Sequence, residues 1–244
     1  MQSNNPMFKK VEFDTTYSEP MTVTGAVNKT LLMTGVATAV ALVFYFYCLN
    51  LGAMNSPAML GAIVGAVGGL VLALIAAFKP HTSTNLAIPY AVLEGLFLGG
   101  ISAAYEYMYP GLPLTAVAAT FVTTFGLLGL YKARVIQATD KFKAVVMSAT
   151  LAILILYVVQ WVMVLAFGNS IPFLFGNGIV GLGFAAFVAI IASLNLILDF
   201  DLVERSAELH APKYMEWFCG IALLATLVWM YISFLRLLGI IRSE

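Results

Sequence analysis

Charge is what this chain has least of. Of its 244 residues only 10% are Asp, Glu, Lys or Arg, while 61% are hydrophobic; soluble domains carry roughly a quarter charged residues. That scarcity excludes an ordinary water-solvated domain and suits a hydrocarbon solvent, where a lone charge at mid-bilayer costs at least ~2.5–3.5 kcal/mol. The 12 basic and 12 acidic residues cancel, so no overall field draws nucleic acid or acidic partners. Cysteine is nearly absent. Cys48 and Cys219 each lie in an apolar run without a CxxC neighbour, which excludes a disulfide framework and reads as two small buried hydrophobes. The two histidines, His81 and His210, lack any H-E-x-x-H or H-x₃₋₅-H spacing, so no metal is assigned to them. There is no G-x-S-x-G, no P-loop and no G-x-G-x-x-G after a strand, so the chain is expected to be no enzyme and to need no cofactor. An intramembrane aspartyl protease needs facing aspartates on separate helices, which Asp199 and Asp201 on one helix cannot supply. The first 28 residues are polar, with no apolar core or small-residue cleavage site, so no cleavable leader is expected.

What the chain does have is apolar length. A bilayer core of about 30 Å needs ~20 helical residues, and seven runs qualify: 30–49, 58–78, 87–108, 113–131, 145–167, 172–198 and 214–238. Short polar breaks separate them, so successive helices are expected to be antiparallel neighbours. The fold class is all-α: a polytopic seven-transmembrane-helix bundle, with a tail over 1–28 and one transmembrane domain over 29–244. Lys9, Lys10, Lys29, Lys79, Lys132, Arg134, Lys141, Lys143, Arg205 and Lys213 fall in the tail and the even-numbered loops. The first, third and fifth loops hold no Lys or Arg. This bias predicts a cytoplasmic amino terminus and, with seven spans, a carboxyl terminus outside. Gly61, Gly65 and Gly69 recur every four residues in the second span, and Gly95, Gly99 and Gly100 cluster in the third. Such stripes let helix backbones approach closely, here within the monomer.

Ionisable groups inside spans are functional candidates by default. Glu94 lies deep in IPYAVLEGLFLGGISAAYE with no cation within a helical turn; it is expected either to be protonated or to face a wet cavity or a partner on another helix. In NLILDFDLVERSAE, residues two apart point about 200° from each other. Asn195 and Asp199 share one face, a polar stripe entering the apolar segment. Asp201 shares its face with Arg205, which reads as a solvated helix end with an ion pair. Asp199 is therefore the better candidate for a buried functional carboxylate. Glu216 opens the last span between Tyr214 and Trp217, near Lys213. There it serves as a first-turn carboxylate at the positive end of the helix dipole or as part of an ion pathway.

These residues carry a resemblance. LNLILDFDLVE, Leu194 to Glu204, resembles the sixth-helix aspartate motif of the transmembrane Bax inhibitor motif (Bax inhibitor / YccA) family. APKYMEWF…LATLVWMYISFLRLLGIIR looks like that family's last helix, with its terminal Leu-Arg-x-x-Gly. The likeness spans the chain from about residue 22. It implies a bundle with the last helix central, in the inner (plasma) membrane, and a pH-sensitive calcium leak. In that scheme two aspartates, one on each of the last two helices, share a proton and hold a cytoplasmic gate. Asp199 matches the first. The second has no counterpart: its place falls near Thr226 to Trp229, where there is no carboxylate, leaving Glu94 or Glu216 as substitutes. The preferred reading is a calcium or cation leak channel in the lipid bilayer, with Asp199 as pH sensor and transient calcium contact. The runner-up is a non-conducting regulator that restrains a membrane partner such as a quality-control protease. A proton-coupled transporter would need a substrate site for which no residues are seen.

Overall fold

The computed structural model describes residues 19–51, 56–168, 176 and 178–243. Among them run seven helices: α1 (Val23–Leu51), α2 (Ser56–Phe78), α3 (Ser83–Met108), α4 (Leu112–Lys132), α5 (Asp140–Phe167), α6 (Ile179–Glu208) and α7 (Met215–Ser243). All seven contain a stretch long and apolar enough to cross a membrane. The described residues hold no strand, and Pro20 and Pro212 meet in an isolated antiparallel bridge. The expected all-α seven-helix membrane bundle is the observed fold.

Local chemistry sets the helix ends. Thr139 caps α5 by accepting a hydrogen bond from the Phe142 amide, and Gly168 closes the helix in the left-handed region, with φ 68°. Pro113 sits in the first turn of α4, where its missing N–H costs nothing. Several helices outrun their apolar stretches. The sixth span was expected to end at 198, yet α6 continues through DFDLVERSAE to Glu208. That segment is polar but contains no glycine or proline, and it stops only before His210 (φ 53°) and Pro212. Asp199, Asp201 and Arg205 are thus helical residues. Likewise α1 starts at Val23, so Lys29 lies on a helix, and α7 runs on to Ser243. The expected start of the sixth span, at 172, lies outside the described residues.

α7 is the centre. Its buried side chains extend from Glu216 to Ile240, and it packs against α1, α2, α3, α4 and α6. α5 stands outermost, packed on α6, and reaches α7 where the Arg236 guanidinium donates to the Tyr157 hydroxyl, 3.4 Å. On α5 Leu154 and Trp161 point outward, toward lipid in a membrane. α1, α2 and α3 are pressed together backbone to backbone. A Cβ on Gly65 would lie 2.5 Å from the Leu93 carbonyl oxygen, and one on Gly99 2.6 Å from that of Ala41. Neither site has room for a larger residue, so these glycines serve packing inside the monomer.

One end of the bundle gathers the basic connections. The Met21 amide donates to the Ala211 carbonyl, 2.8 Å, joining the segment before α1 to the α6–α7 connection. Lys143 at the start of α5 pairs with Asp201 of α6, and the Tyr131 hydroxyl at the end of α4 donates to Glu204, 2.6 Å. This is called the basic end below.

Candidate functional site

Three carboxylates stand apart within the bundle, Glu94 and Glu216 buried and Asp199 half-buried, each with a different set of partners. Asp199 lies on the face of α6 that meets α7. Its neighbours there are Thr226, whose hydroxyl donates a hydrogen bond to it, and the Cys219 thiol. Apolar Leu196, Leu223 and Met230 pack around this seam. The second carboxylate oxygen, Oδ2, is inaccessible and has no protein hydrogen-bond partner. Ser206, seven residues on and so on the same face, is buried beside the Cys219 thiol. A buried polar atom left unpaired costs about 1–3 kcal/mol. Asp199 is therefore an acceptor held in excess, suited to take up a proton, a water molecule or a cation.

Glu216 is the opposite case. It is 2% exposed, forms an ion pair with Lys29 of α1, and accepts hydrogen bonds from the Thr22 amide, 3.0 Å, and the Thr22 hydroxyl, 3.3 Å. Lys29 also lies 5.1 Å from the centroid of the Trp217 ring, a cation–π contact. Gly25 leaves the space that the carboxylate fills, since a Cβ there would overlap Glu216 Oε1. One residue before Pro20, Glu19 pairs with Lys213 at the surface. The Lys213 ammonium holds the Glu19 carboxyl below its usual range, and Glu19 raises the lysine in turn.

Glu94 lies near the middle of α3, 8% exposed. The Tyr90 hydroxyl, one turn earlier, donates to it, and α2 offers only Gly69 opposite, where a Cβ would come 2.9 Å from Oε1. Its hydrogen-bond partner is thus on its own helix, where a partner on another helix was among the expectations.

The remaining candidates do not join Asp199. The Asn195 amide donates to Thr150 of α5, 2.7 Å, and to the Ile191 carbonyl, 2.8 Å, so it ties α6 to α5 and leaves the α7 side alone. Asp201 accepts from Arg205 Nε at 2.8 Å, as the four-residue spacing predicts, and also from Lys143. That second partner holds it between α5 and α6 at 14% exposure, less open than a free helix end. Neither Glu94 nor Glu216 stands beside Asp199. The position facing it on α7 is taken by Thr226, in the window where a second aspartate was sought. An acid–alcohol pair thus occupies the seam in place of two acids. The described residues contain no cluster of three His, Cys, Asp or Glu side chains, so any cation here would meet one carboxylate plus hydroxyl and carbonyl oxygens.

Thr226, Tyr90, Thr22 and Lys29 are the functional neighbours that sequence reasoning did not single out. Tyr90 had a signal, four residues before Glu94 on one helix face. Thr226 and Lys29 are brought in by packing across the bundle, and a one-dimensional pattern carries no trace of that. Residues 5–243, nearly the whole chain, match the family model described as Bax inhibitor 1 like. No curated protein and no solved structure matches.

Proposed function

On the premise that the chain belongs to the Bax inhibitor 1 like family, we propose that it is a pH-sensitive cation leak, with calcium the principal ion, in the inner (plasma) membrane. The observation that carries this reading is Asp199: a carboxylate inside a membrane bundle, at the seam with the central helix, with one oxygen left without a protein donor. A permanent structural carboxylate would be satisfied on both oxygens, as Glu216 is. With Asp199 ionised, the Thr226 hydroxyl bridges α6 to α7, and hard oxygen acceptors along the seam suit a calcium ion in transit. Protonation removes the charge and turns one acceptor into a donor, changing the seam's grip on α7 and its attraction for a cation together. That is the proposed pH switch. A single acid opposite an alcohol titrates in one step, unlike a coupled pair of acids. Glu94, on α3 against Gly69, is assigned a secondary place along the cation path. The basic end is assigned to the cytoplasm and the carboxyl terminus to the outside, on the strength of the lysine and arginine bias.

Purified protein in calcium-loaded liposomes tests the reading. Flux that changes with pH in the intact chain, and loses that change in Asp199→Asn, is the expected result. A chain that passes no cation at any pH sinks it. Orientation is checked separately with a reporter active only in the cytoplasm, which works when inserted near Lys141 and fails after Glu244.

A further inference from the structure

Among the described residues a cavity opens beside the α6–α7 seam; Leu196 and Leu223 of that seam line it, and Asp199 does not. It has a volume of about 1020 Å³ and is walled by α1, α4, α6 and α7, with the α4–α5 connection at its polar end. We propose that this crevice is a phospholipid-binding site, filled by one lipid from the leaflet at the basic end, its phosphate held by Lys132 and Arg134.

The argument starts from how the lining is ordered along the helices. Phe121, Phe125, Leu128 and Lys132 of α4 all line the crevice, at spacings of four, three and four, so they form a single face. Read toward the basic end, that face passes from two aromatic rings through a leucine to an ammonium group. α1 contributes Val23, Val27, Leu31 and Thr34 with the same periodicity. Leu223 and Leu227 of the central helix form the floor. Every charged lining residue lies at the basic end and the lining farther along the helices carries no charge, which is the polarity profile of a lipid.

Exposure agrees. Leu31 is 65% exposed, Phe125 66% and Phe121 46%: large apolar side chains turned into an opening between helices. At hydrocarbon depth an apolar chain can enter from the side, whereas a water-soluble ligand cannot.

The polar end selects a headgroup by charge. Three carboxylates line this end with the cations: Asp201 is paired with Lys143 and Arg205, Glu204 accepts from the Tyr131 hydroxyl, and Glu208 ends α6. Lys132 closes α4, and Arg134 follows two residues later in a left-handed turn with φ 57°. These two cations sit where the apolar walls end, at the depth of a phosphate. A basic pocket between helices at the leaflet surface is the arrangement that holds lipid phosphates. Leu196, which also lines the crevice, lies three residues before Asp199 and packs at the α6–α7 seam, so a lipid here would press on that seam. The inference does not depend on ion conduction.

The test uses the full chain in vesicles that contain a diacyl phospholipid with a photoactivatable diazirine in one acyl chain, and adducts are mapped by mass spectrometry. The expected result is label on Leu223 and Leu227 of the central helix, at the floor of the crevice, together with label on outward-facing Leu154 and Trp161 as an internal standard. Lys132→Gln with Arg134→Gln is expected to lower the α7 label several-fold while the α5 label stays constant. Leu223→Trp, which fills the floor, is expected to abolish it without charge change, so a folding defect in one variant does not decide the matter. Label confined to outward faces, or α7 label indifferent to both variants, would overturn the proposal. So would a crosslinked second copy of the chain at the crevice in place of lipid.

Discussion

Glu216 and Asp199 both sit where the last helix meets its neighbours, both are shielded from water, and they are provided for in opposite ways. Glu216 has a lysine, two donors from Thr22 and a glycine-made recess. Asp199 has one threonine hydroxyl and an oxygen facing no donor. Burying a charge is costly in both places, but only at Glu216 do neighbouring groups offset the cost. A carboxylate so fully answered is a fastener, and its charge is fixed by its surroundings. A carboxylate so poorly answered keeps the capacity to bind something else. Around one central helix, the number of donors separates architecture from chemistry.

Removing partners from each site should break or sharpen that contrast. The largest effect is expected from Lys29→Ala, which strands Glu216 without its cation; about 3 kcal/mol of stability should be lost, read as a lowered melting midpoint in detergent. A midpoint equal to that of the wild type would mean that Glu216 is no fastener. Next comes Asp199→Asn, which removes an under-satisfied charge and should hold or raise the midpoint, by about 1 kcal/mol, while abolishing the pH dependence of liposomal calcium flux. Asp201→Asn should leave that dependence in place, because Asp201 is paired with Lys143 and Arg205 away from Thr226. Equal loss from both aspartates would erase the distinction. Glu94→Gln should be milder: the Tyr90 hydroxyl can donate to an amide oxygen as it does to a carboxylate, so the fold persists and only flux or its pH response shifts. Unchanged flux would reduce Glu94 to a packing group.

The smallest effect is expected at the surface pair. Lys213 lowers the Glu19 carboxyl and Glu19 raises the lysine. The contact is therefore complete from the ordinary carboxylate range up to the ordinary lysine range, and is lost as pH falls through the lowered Glu19 value or rises through the raised Lys213 value. A distance label between residues 19 and 213 should lengthen only at those extremes. Glu19→Gln should leave the midpoint at neutral pH unchanged within error, as is usual for exposed pairs.

The sequence made the membrane architecture legible because bilayer thickness writes itself directly into run length, and charge bias into loop alternation. It also separated Asp199 from Asp201 by helix geometry, and the Asp201–Arg205 pair follows from a spacing of four. Helix ends were less legible at the polar margins. DFDLVERSAE lowers the hydropathy without interrupting the helix, so an apolar window stops ten residues before the backbone does. What no single-chain pattern could give was pairing across the bundle. Thr226 becomes the partner of Asp199, Lys29 that of Glu216 and Thr150 that of Asn195 only once the helices are packed. The position of Thr226 was found as a missing acid, and its hydroxyl was the part that mattered.

The fastener joining Thr22 and Lys29 to Glu216 has a consequence in time. Lys29 and Glu216 are 187 residues apart, so during synthesis the lysine leaves the ribosome long before its partner exists. α1, α2 and α3, which meet through glycine faces close in sequence, can assemble early, and their shared face then waits for the helix that fills it. The centre of this bundle is the last part to be made. A nascent chain halted after α6 is a ring without an axle, with Lys29 still dependent on water and lipid headgroups. Arrival of Glu216 both closes the structure and marks it as complete, so a chain cut short at its carboxyl end loses its core, where most proteins would lose an edge.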